Sequence, residues 1–316
     1  MRKIPIVFAF DKGLALAAKV CMSSLLMNAR TETFYDIFVL HAPECDFTED
    51  GFDKLVSAYQ QNCRIQFRSV GGQCRDRYEI RGITTATYYR LLIPELIPEY
   101  DKVIYSDVDV IFRSDLSGIY DQTDLGEYYM AGVNSWSHLD AFLDKYYTEK
   151  LHLNSETIVY AGNLIINSKQ IRKDRLMERF YDEMENKYKY QDMDIINIVC
   201  KDRIKFLSPI FCYTVHVNYM LLFMFDKIKD YISIEERERI IKYGLIHYNG
   251  IKPWDGYCAS MDIWWEYYRK SVFFDPEYYY HFFITGNQVY DRLSLRKRIG
   301  LVVHFFTKGR YRSGSN

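Results

Sequence analysis

Val103–Phe112 reads V-I-Y-S-D-V-D-V-I-F. A run this apolar, bounded by Lys102 and Arg113, has the composition of a strand covered on both faces. It nevertheless carries Asp107 and Asp109, which are two residues apart and so lie on one side of an extended chain. One unpaired buried carboxylate is costly, and two side by side cost more. No basic residue lies inside the run. A divalent cation is the economical counter-charge, because hard oxygen ligands suit Mg²⁺ or Mn²⁺. The pair belongs where the strand ends and opens on a crevice. A bend there lets one carboxylate bind directly and the other directly or through water. Asp-x-Asp alone is a common tripeptide, and two solvated aspartates at a strand end read the same way. The flanking apolar runs favour the buried reading.

Composition narrows the class. With 48% hydrophobic and 26% charged residues among 316, the chain is globular, with room for one large domain or somewhat more. A formal net charge of -1 argues against nucleic acid as a partner. The seven cysteines form no C-x-x-C and sit mostly in apolar context, which reads as free thiols in a reducing cytoplasm. Arg2 and Lys3 precede the apolar run Ile4–Phe10, but Asp11 and Lys12 interrupt it and Lys19 interrupts the next. That is a poor secretory signal. No stretch has the length of a membrane span.

Taken in order, Ile4–Phe10 predicts a buried strand, followed by a helix over 14–28. Tyr35–His41 predicts a second strand, residues 48–61 a helix and Arg64–Arg68 a third strand. This β-α-β-α-β order with near-continuous apolar strands is that of a parallel sheet covered on both faces. No G-x-G-x-x-G follows the first strand, so the usual dinucleotide fingerprint is absent. A helix over 84–92 carries Arg90, and Pro94 and Pro98 lead into the central strand. A turn is expected at 115–118, a strand at 129–133 and a helix at 138–147. Ile158–Asn167 predicts a strand whose Ala161-Gly162 break admits a ligand or a neighbouring backbone. Helices are expected at 169–187, 190–200 and 235–242, with Asp192 and Asp194 in the first turn of the second of these. Leu245–Trp254, L-I-H-Y-N-G-I-K-P-W, places His247 on a short strand and Lys252 on a loop held by Pro253. A lone histidine is usually a satisfied core residue; here a cation site elsewhere lacks a nitrogen ligand. An aromatic helix or turn is expected over 262–274. The basic tail (Arg292, Arg296, Lys297, Arg298, Lys308, Arg310, Arg312) has apolar residues interleaved, which reads either as a membrane-surface segment or as a solvated terminal helix. Residues 1–260 form the expected catalytic domain and 261–316 an aromatic and basic helical region.

Four motifs stand in one order: F-A-F-D at 8–11, Y-S-D-V-D-V-I at 105–111, Y-A-G-N-L-I-I-N at 160–167 with Y-Q-D-M-D at 190–194, and H-Y-N-G-I-K-P-W at 247–254. Together they resemble glycosyltransferase family 8, notably the bacterial lipopolysaccharide and lipooligosaccharide hexosyltransferases, over about Ile4 to Phe274. The resemblance implies an α/β fold of GT-A type, a Rossmann-like nucleotide-sugar-binding sheet with a small helical C-terminal region. It implies transfer of glucose or galactose from a UDP-hexose donor to a saccharide or glycolipid acceptor, with retention of configuration, in cell-surface polysaccharide or lipopolysaccharide synthesis. The cofactor it implies is Mn²⁺, or Mg²⁺, held by Asp107, Asp109 and His247. Ala9 and Asp11 then lie by the uracil, Arg90 and Asp192 by the donor sugar, and Gly250 and Lys252 by the diphosphate. Val108, Tyr160 and Asn163 join the substrate-binding set, and Asp192, Met193 and Lys252 lie nearest the chemistry. Three positions depart from the family pattern: Met193 where Gln is usual, Tyr160 where Asn is usual, and Leu14 where an aromatic residue often stacks on uracil. They motivate a second reading, a catalytically weak UDP-sugar-binding protein of the same fold. A nucleotidyltransferase also uses Asp-x-Asp, but its Gly-rich basic loop after the first strand is missing.

Overall fold

The structure, a computed structural model, describes residues 2–291 and 294–308. Strand β1 (Arg2–Ala9) is flanked by β2 (Thr33–His41) and β4 (Val103–Ser106), and β3 (Cys63–Ser69) lies outside β2. β7 (Val159–Ile166), β6 (Met130–Asn134) and β8 (Ile204–Leu207) continue the sheet in the order β3-β2-β1-β4-β7-β6-β8. The pairs β1–β2, β2–β3, β1–β4 and β6–β8 are parallel, and β7 runs antiparallel to both its neighbours. The expected β-α-β-α-β unit is therefore present. The chain winds outward from β1 to β3, then returns to lie on the other side of β1 as β4. A crevice opens at such a reversal, outside the carboxyl ends of the strands.

Period-two alternation sorts the side chains between two cores. Ile4, Ile6 and Phe8 of β1, with Tyr35, Ile37 and Val39 of β2, cluster with Ala17, Ala18 and Cys21 of the helix Ala15–Met27. Val7, Phe38 and Leu40 cluster with Leu91, Leu92 and Ile195 beneath the opposite face. This double burial explains why these strands read as continuous apolar runs. A third, aromatic core joins Trp264, Trp265 and Tyr268 of the helix Met261–Lys270 to Val217, Met220 and Leu221 of the helix Val215–Phe223.

The structure departs from the sequence-level expectations in several places. The single strand expected over Val103–Phe112 is two: β4 ends at Ser106, and β5 (Val110–Ile111) belongs to a separate three-stranded sheet. In that sheet β5 pairs antiparallel with β10 (Ile246–His247), which pairs parallel with β9 (Tyr213–Thr214). The helix expected over 169–187 is broken into Ser168–Lys173 and Met177–Glu183, with Arg175 between them at φ 54°. The helix expected over 48–61 spans only Phe52–Ala58, and Thr85–Leu92 is a 3-10 helix. The stretch expected as one helix over 138–147 comprises Ser137–Leu139, Ala141–Lys145 and the wider turn Tyr146–Lys150. Of the basic tail, Arg292, Arg310 and Arg312 lie outside the described residues. Among the described residues, no helix is long and apolar enough to cross a membrane.

Asp36, wholly buried on β2, is the structural counterpart of the crevice carboxylates. Arg64 grips both its oxygens, Tyr100 donates a hydroxyl and Gln66 donates an amide at 2.9 Å. Burial alone would raise its pKa; Arg64 first, then Tyr100 and Gln66, outweigh burial and hold it below the usual carboxylate value. A depressed folded-state pKa stabilises above the unfolded value and stops doing so as pH falls through the folded one. Asp36→Asn should therefore lower Tm by several degrees at pH 7, a loss of about 2 kcal/mol typical of charge-assisted hydrogen bonds. The difference from wild type should shrink as pH drops below about 4. Thermal melts of both proteins across pH 3 to 7 check this, and a gap independent of pH would contradict it.

Candidate functional site

β1 and β4 end side by side at the chain reversal, which puts Ala9 and Asp11 on one side of the crevice and Asp107 on the other. The Asp107 N–H donates to the Gly162 carbonyl at 2.8 Å, continuing the β4–β7 ladder by one residue. The chain then bends. The Asp109 carbonyl accepts from the Tyr248 N–H at 2.8 Å, and Val110 pairs with His247. The small sheet is thus what brings His247 to the Asp-x-Asp bend. Val108, between the two carboxylates, turns its side chain into the core, so only its backbone faces the site.

His247 Nε2 lies 3.1 Å from Asp109 Oδ1 and 3.6 Å from Asp107 Oδ2. One ligand atom from each of Asp107, Asp109 and His247 fits within a span of 4.8 Å, the geometry of a metal-holding cluster. Gly162 forms its floor. A Cβ at that position would stand 2.2 Å from His247 Cε1 and 2.9 Å from Asp107 Oδ2, closer than real atoms come. The sequence signalled this through the small-residue break in an otherwise bulky strand. Two carboxylates and an imidazole make a mixed oxygen and nitrogen set that suits a divalent cation, so these residues fit one.

The counter-charge expected from a cation alone is also supplied by protein. Arg90, only 6% exposed, places Nη2 2.9 Å from Asp107 Oδ1 and Nε 3.0 Å from Asp192 Oδ2. Its Nη1 donates to the Ala161 carbonyl at 2.7 Å, and its guanidinium lies over the Tyr105 ring. Tyr105 donates to Asp107 Oδ1 at 2.7 Å, and Thr87 donates to Asp192 Oδ1 at 2.5 Å. The Lys252 ammonium pairs with Asp109 Oδ2 and donates to the Tyr248 carbonyl at 2.7 Å. Burial would raise the pKa of Asp109, but His247 and Lys252 outweigh it and hold the carboxyl well below its usual range. Burial likewise would lower His247, yet the adjacent Asp109 charge carries it up to about 10. For Asp192 burial wins: despite Arg90 and Thr87, its carboxyl is pushed up to about 6.

The remaining candidates fall around this cluster. Ala9 is half-buried, and Asp11 accepts the Thr84 hydroxyl. Leu14 is 36% exposed, on the short turn after β1. Asn163 is buried and donates to Ser106 at 2.9 Å, leaving its Oδ1 without a partner among the described residues. Tyr160 meets the His247 ring edge-on, with centroids 6.4 Å apart. Gly250 is exposed beside Val215. Met193 is half-buried between two apolar clusters. Sequence reasoning missed Thr87, Tyr105, Thr84 and Asn249. Tyr105 was readable as the residue two before Asp107 on one strand face, and Thr87 as the residue one helical turn before Arg90. Nothing local in the sequence points to the Thr84–Asp11 contact.

Comparison with known proteins agrees with this architecture. A Haemophilus influenzae protein assigned as a glycosyltransferase is 29% identical over 221 residues, 66% of this chain and 63% of that one. Glycosyltransferase GlyE of Streptococcus pneumoniae is 25% identical over 279 residues, 84% of this chain and 61% of that one. The chain therefore spans less than two thirds of these relatives' length. Among solved structures, the galactosyltransferase LgtC with donor and acceptor sugar analogues superposes with a TM-score of 0.70 at 24% identity, covering 87% of this chain and 99% of that one. That likeness carries the fold, which is of GT-A type. The sequence profile of glycosyl transferase family 8 matches residues 5–258, most of the chain and every motif described above, and the protein belongs to that family.

Proposed function

We propose that the protein transfers a hexose, glucose or galactose, from a UDP-sugar to a saccharide or glycolipid acceptor with retention of configuration, using Mn²⁺ or Mg²⁺ bound by Asp107, Asp109 and His247. The observation that carries this reading is the convergence of those three side chains over Gly162, beside Lys252, at the carboxyl edge of the sheet. When bound, the cation neutralises charge on the diphosphate. The chain's own residues do the rest. Asp11 and Ala9 line the uridine side, next to a cleft of about 460 Å³ bordered by Glu44, Cys74, Arg77, Thr85 and Tyr89. Lys252 presents an ammonium on a flexible four-carbon stem to the departing phosphates, where charge grows as the glycosidic bond breaks. Both oxygens of Asp192 are engaged, by Thr87 and Arg90, so it is poorly placed as a free base or nucleophile. Met193 has no acid–base chemistry. Attack from the leaving-group face, with the acceptor proton passing to a departing phosphate oxygen, asks for neither. The exposed Leu295, Ile299 and Val302, beside Arg296, Lys297 and Arg298, support a membrane-surface role for the C-terminal helix, and cell-surface glycan synthesis fits it.

Metal and UDP should then strengthen each other's binding equally, because linkage is reciprocal. Calorimetric titration of UDP with and without Mn²⁺ should show tighter binding with metal in wild type and little gain in Asp109→Asn. Unchanged UDP affinity in wild type on adding Mn²⁺ would remove the metal site and most of this function.

Gly162→Ala should leave the protein folded but abolish that gain, since the new methyl forces His247 away from the carboxylates. A Gly162→Ala protein with wild-type metal-dependent UDP affinity would show that the floor is not part of the site.

Met193→Gln should be tolerated or should accelerate transfer, because the swap keeps length and adds a hydrogen-bonding amide beside Asp192. Rates of UDP release from UDP-glucose and UDP-galactose measure this. Loss of activity in a folded Met193→Gln protein would show that the apolar side chain is itself required.

A further inference from the structure

The loop after β10 carries Gly250 and Lys252, and its two ends are fastened by backbone. At one end is the Tyr248–Asp109 hydrogen bond. At the other, the N–H groups of Asp255 and Gly256 both donate to the Lys252 carbonyl at 3.0 Å, and the Trp265 indole donates to the Pro253 carbonyl at 3.1 Å. Between these ends Asn249, Gly250 and Ile251 are exposed, and a glycine in such a stretch lets the backbone wander. The Asn249 side chain pins the stretch. Its Nδ2 donates to the Tyr160 hydroxyl at 2.5 Å, and its Oδ1 accepts the Val215 N–H at 3.1 Å. One carboxamide thus ties the loop to β7 and to the start of the helix Val215–Phe223. Tyr160 is itself held against His247 by its ring.

We propose that Tyr160 and Asn249 are a positioning pair that holds the 249–252 loop so that Lys252 meets the leaving diphosphate. The inference rests on the donor reading above and gives Tyr160 a role exerted through Lys252 in place of a contact with the donor. A neutral hydrogen bond lost from a partly exposed site costs on the order of a fivefold change in rate. Asn249→Ala removes this bond together with the one from Val215, whereas Tyr160→Phe removes this bond alone, so Tyr160→Phe should add nothing to Asn249→Ala.

The test is UDP release from UDP-glucose and UDP-galactose with Mn²⁺, by wild type, Tyr160→Phe, Asn249→Ala and the double variant. Tyr160→Phe is also placed in a Lys252→Ala background. Unfolding temperatures are measured for each, and UDP is titrated into wild type by calorimetry. Tyr160→Phe should lose about fivefold in kcat and Asn249→Ala at least as much, with KM little changed. The double variant should match Asn249→Ala, and Tyr160→Phe should add nothing once Lys252 is gone. Wild-type turnover in either single variant, additive losses, or a rise in KM alone would overturn the inference. A lower unfolding temperature with unchanged kcat would likewise make the bond merely structural. If wild type neither binds UDP nor releases it, the donor reading fails first and takes this inference with it.

Discussion

The charge balance of the crevice turns on Arg90. Its guanidinium sits between Asp107 and Asp192, almost without solvent, and each carboxylate is engaged by a second donor, Tyr105 or Thr87. Removing one partner from such a cluster leaves an uncompensated buried charge, which typically costs about 3–5 kcal/mol. The arrangement is also directional. Arg90 and Tyr105 both take Asp107 Oδ1, so Oδ2 is the oxygen that turns toward His247 and Gly162. A carboxylate held this way presents one lone pair at a defined place, which is the kind of support that orients a ligand before any ligand arrives. Arg90 does this from the 3-10 helix Thr85–Leu92, whose buried residues root it in the core under the sheet.

The fold makes that arrangement possible through a change of sheet. β4 delivers Asp107 with strand geometry, the chain bends at Val108, and β5 carries Asp109 into the small sheet shared with His247. Had the strand run on unbroken, as its composition predicts, both carboxylates would share one face and His247 would have no register that brings it near them. The buried Val108 side chain anchors the bend in the core, so the two carboxylates turn on a fixed point.

How much of this the sequence disclosed follows from what kind of interaction sets each feature. The order of strands and helices was legible because alternation and apolar runs are local. So was the Asp-x-Asp at a strand end, since a carboxylate pair in an apolar run contradicts its surroundings. Gly162 was legible for the same reason. The counter-charges were not. Arg90 and Lys252 lie outside the Asp-x-Asp run, and no local pattern records which basic residue folds against which acid; His247 is grouped with the two carboxylates through the family resemblance. The split of Val103–Phe112 was hidden because two short buried strands and one longer strand have the same composition. The break near Arg175 was hidden because nothing in a Lys- and Arg-rich amphipathic run announces a left-handed residue.

The same physics sets what can vary around the crevice. At the Asp-x-Asp bend the groups are charged and coupled: Asp109 to His247 and Lys252, Asp107 to Arg90 and, through Arg90, to Asp192. Changing any one unbalances the rest, so little freedom is left there. Around that charged cluster, Met193 and Tyr160 make contacts that are neutral and separable. Met193 packs between two apolar clusters without a hydrogen bond from its side chain among those seen, and Tyr160 spends its hydroxyl on Asn249. They are two of the three positions at which the chain departs from the family pattern, Leu14 being the third. A reaction whose barrier is lowered mainly by neutralising the departing diphosphate can tolerate such changes, because the stabilisation is supplied where the charge develops. Under the proposed function, the charged end of the crevice is the part to be kept for transfer, and the neutral positions are where donor and acceptor preference are free to diverge.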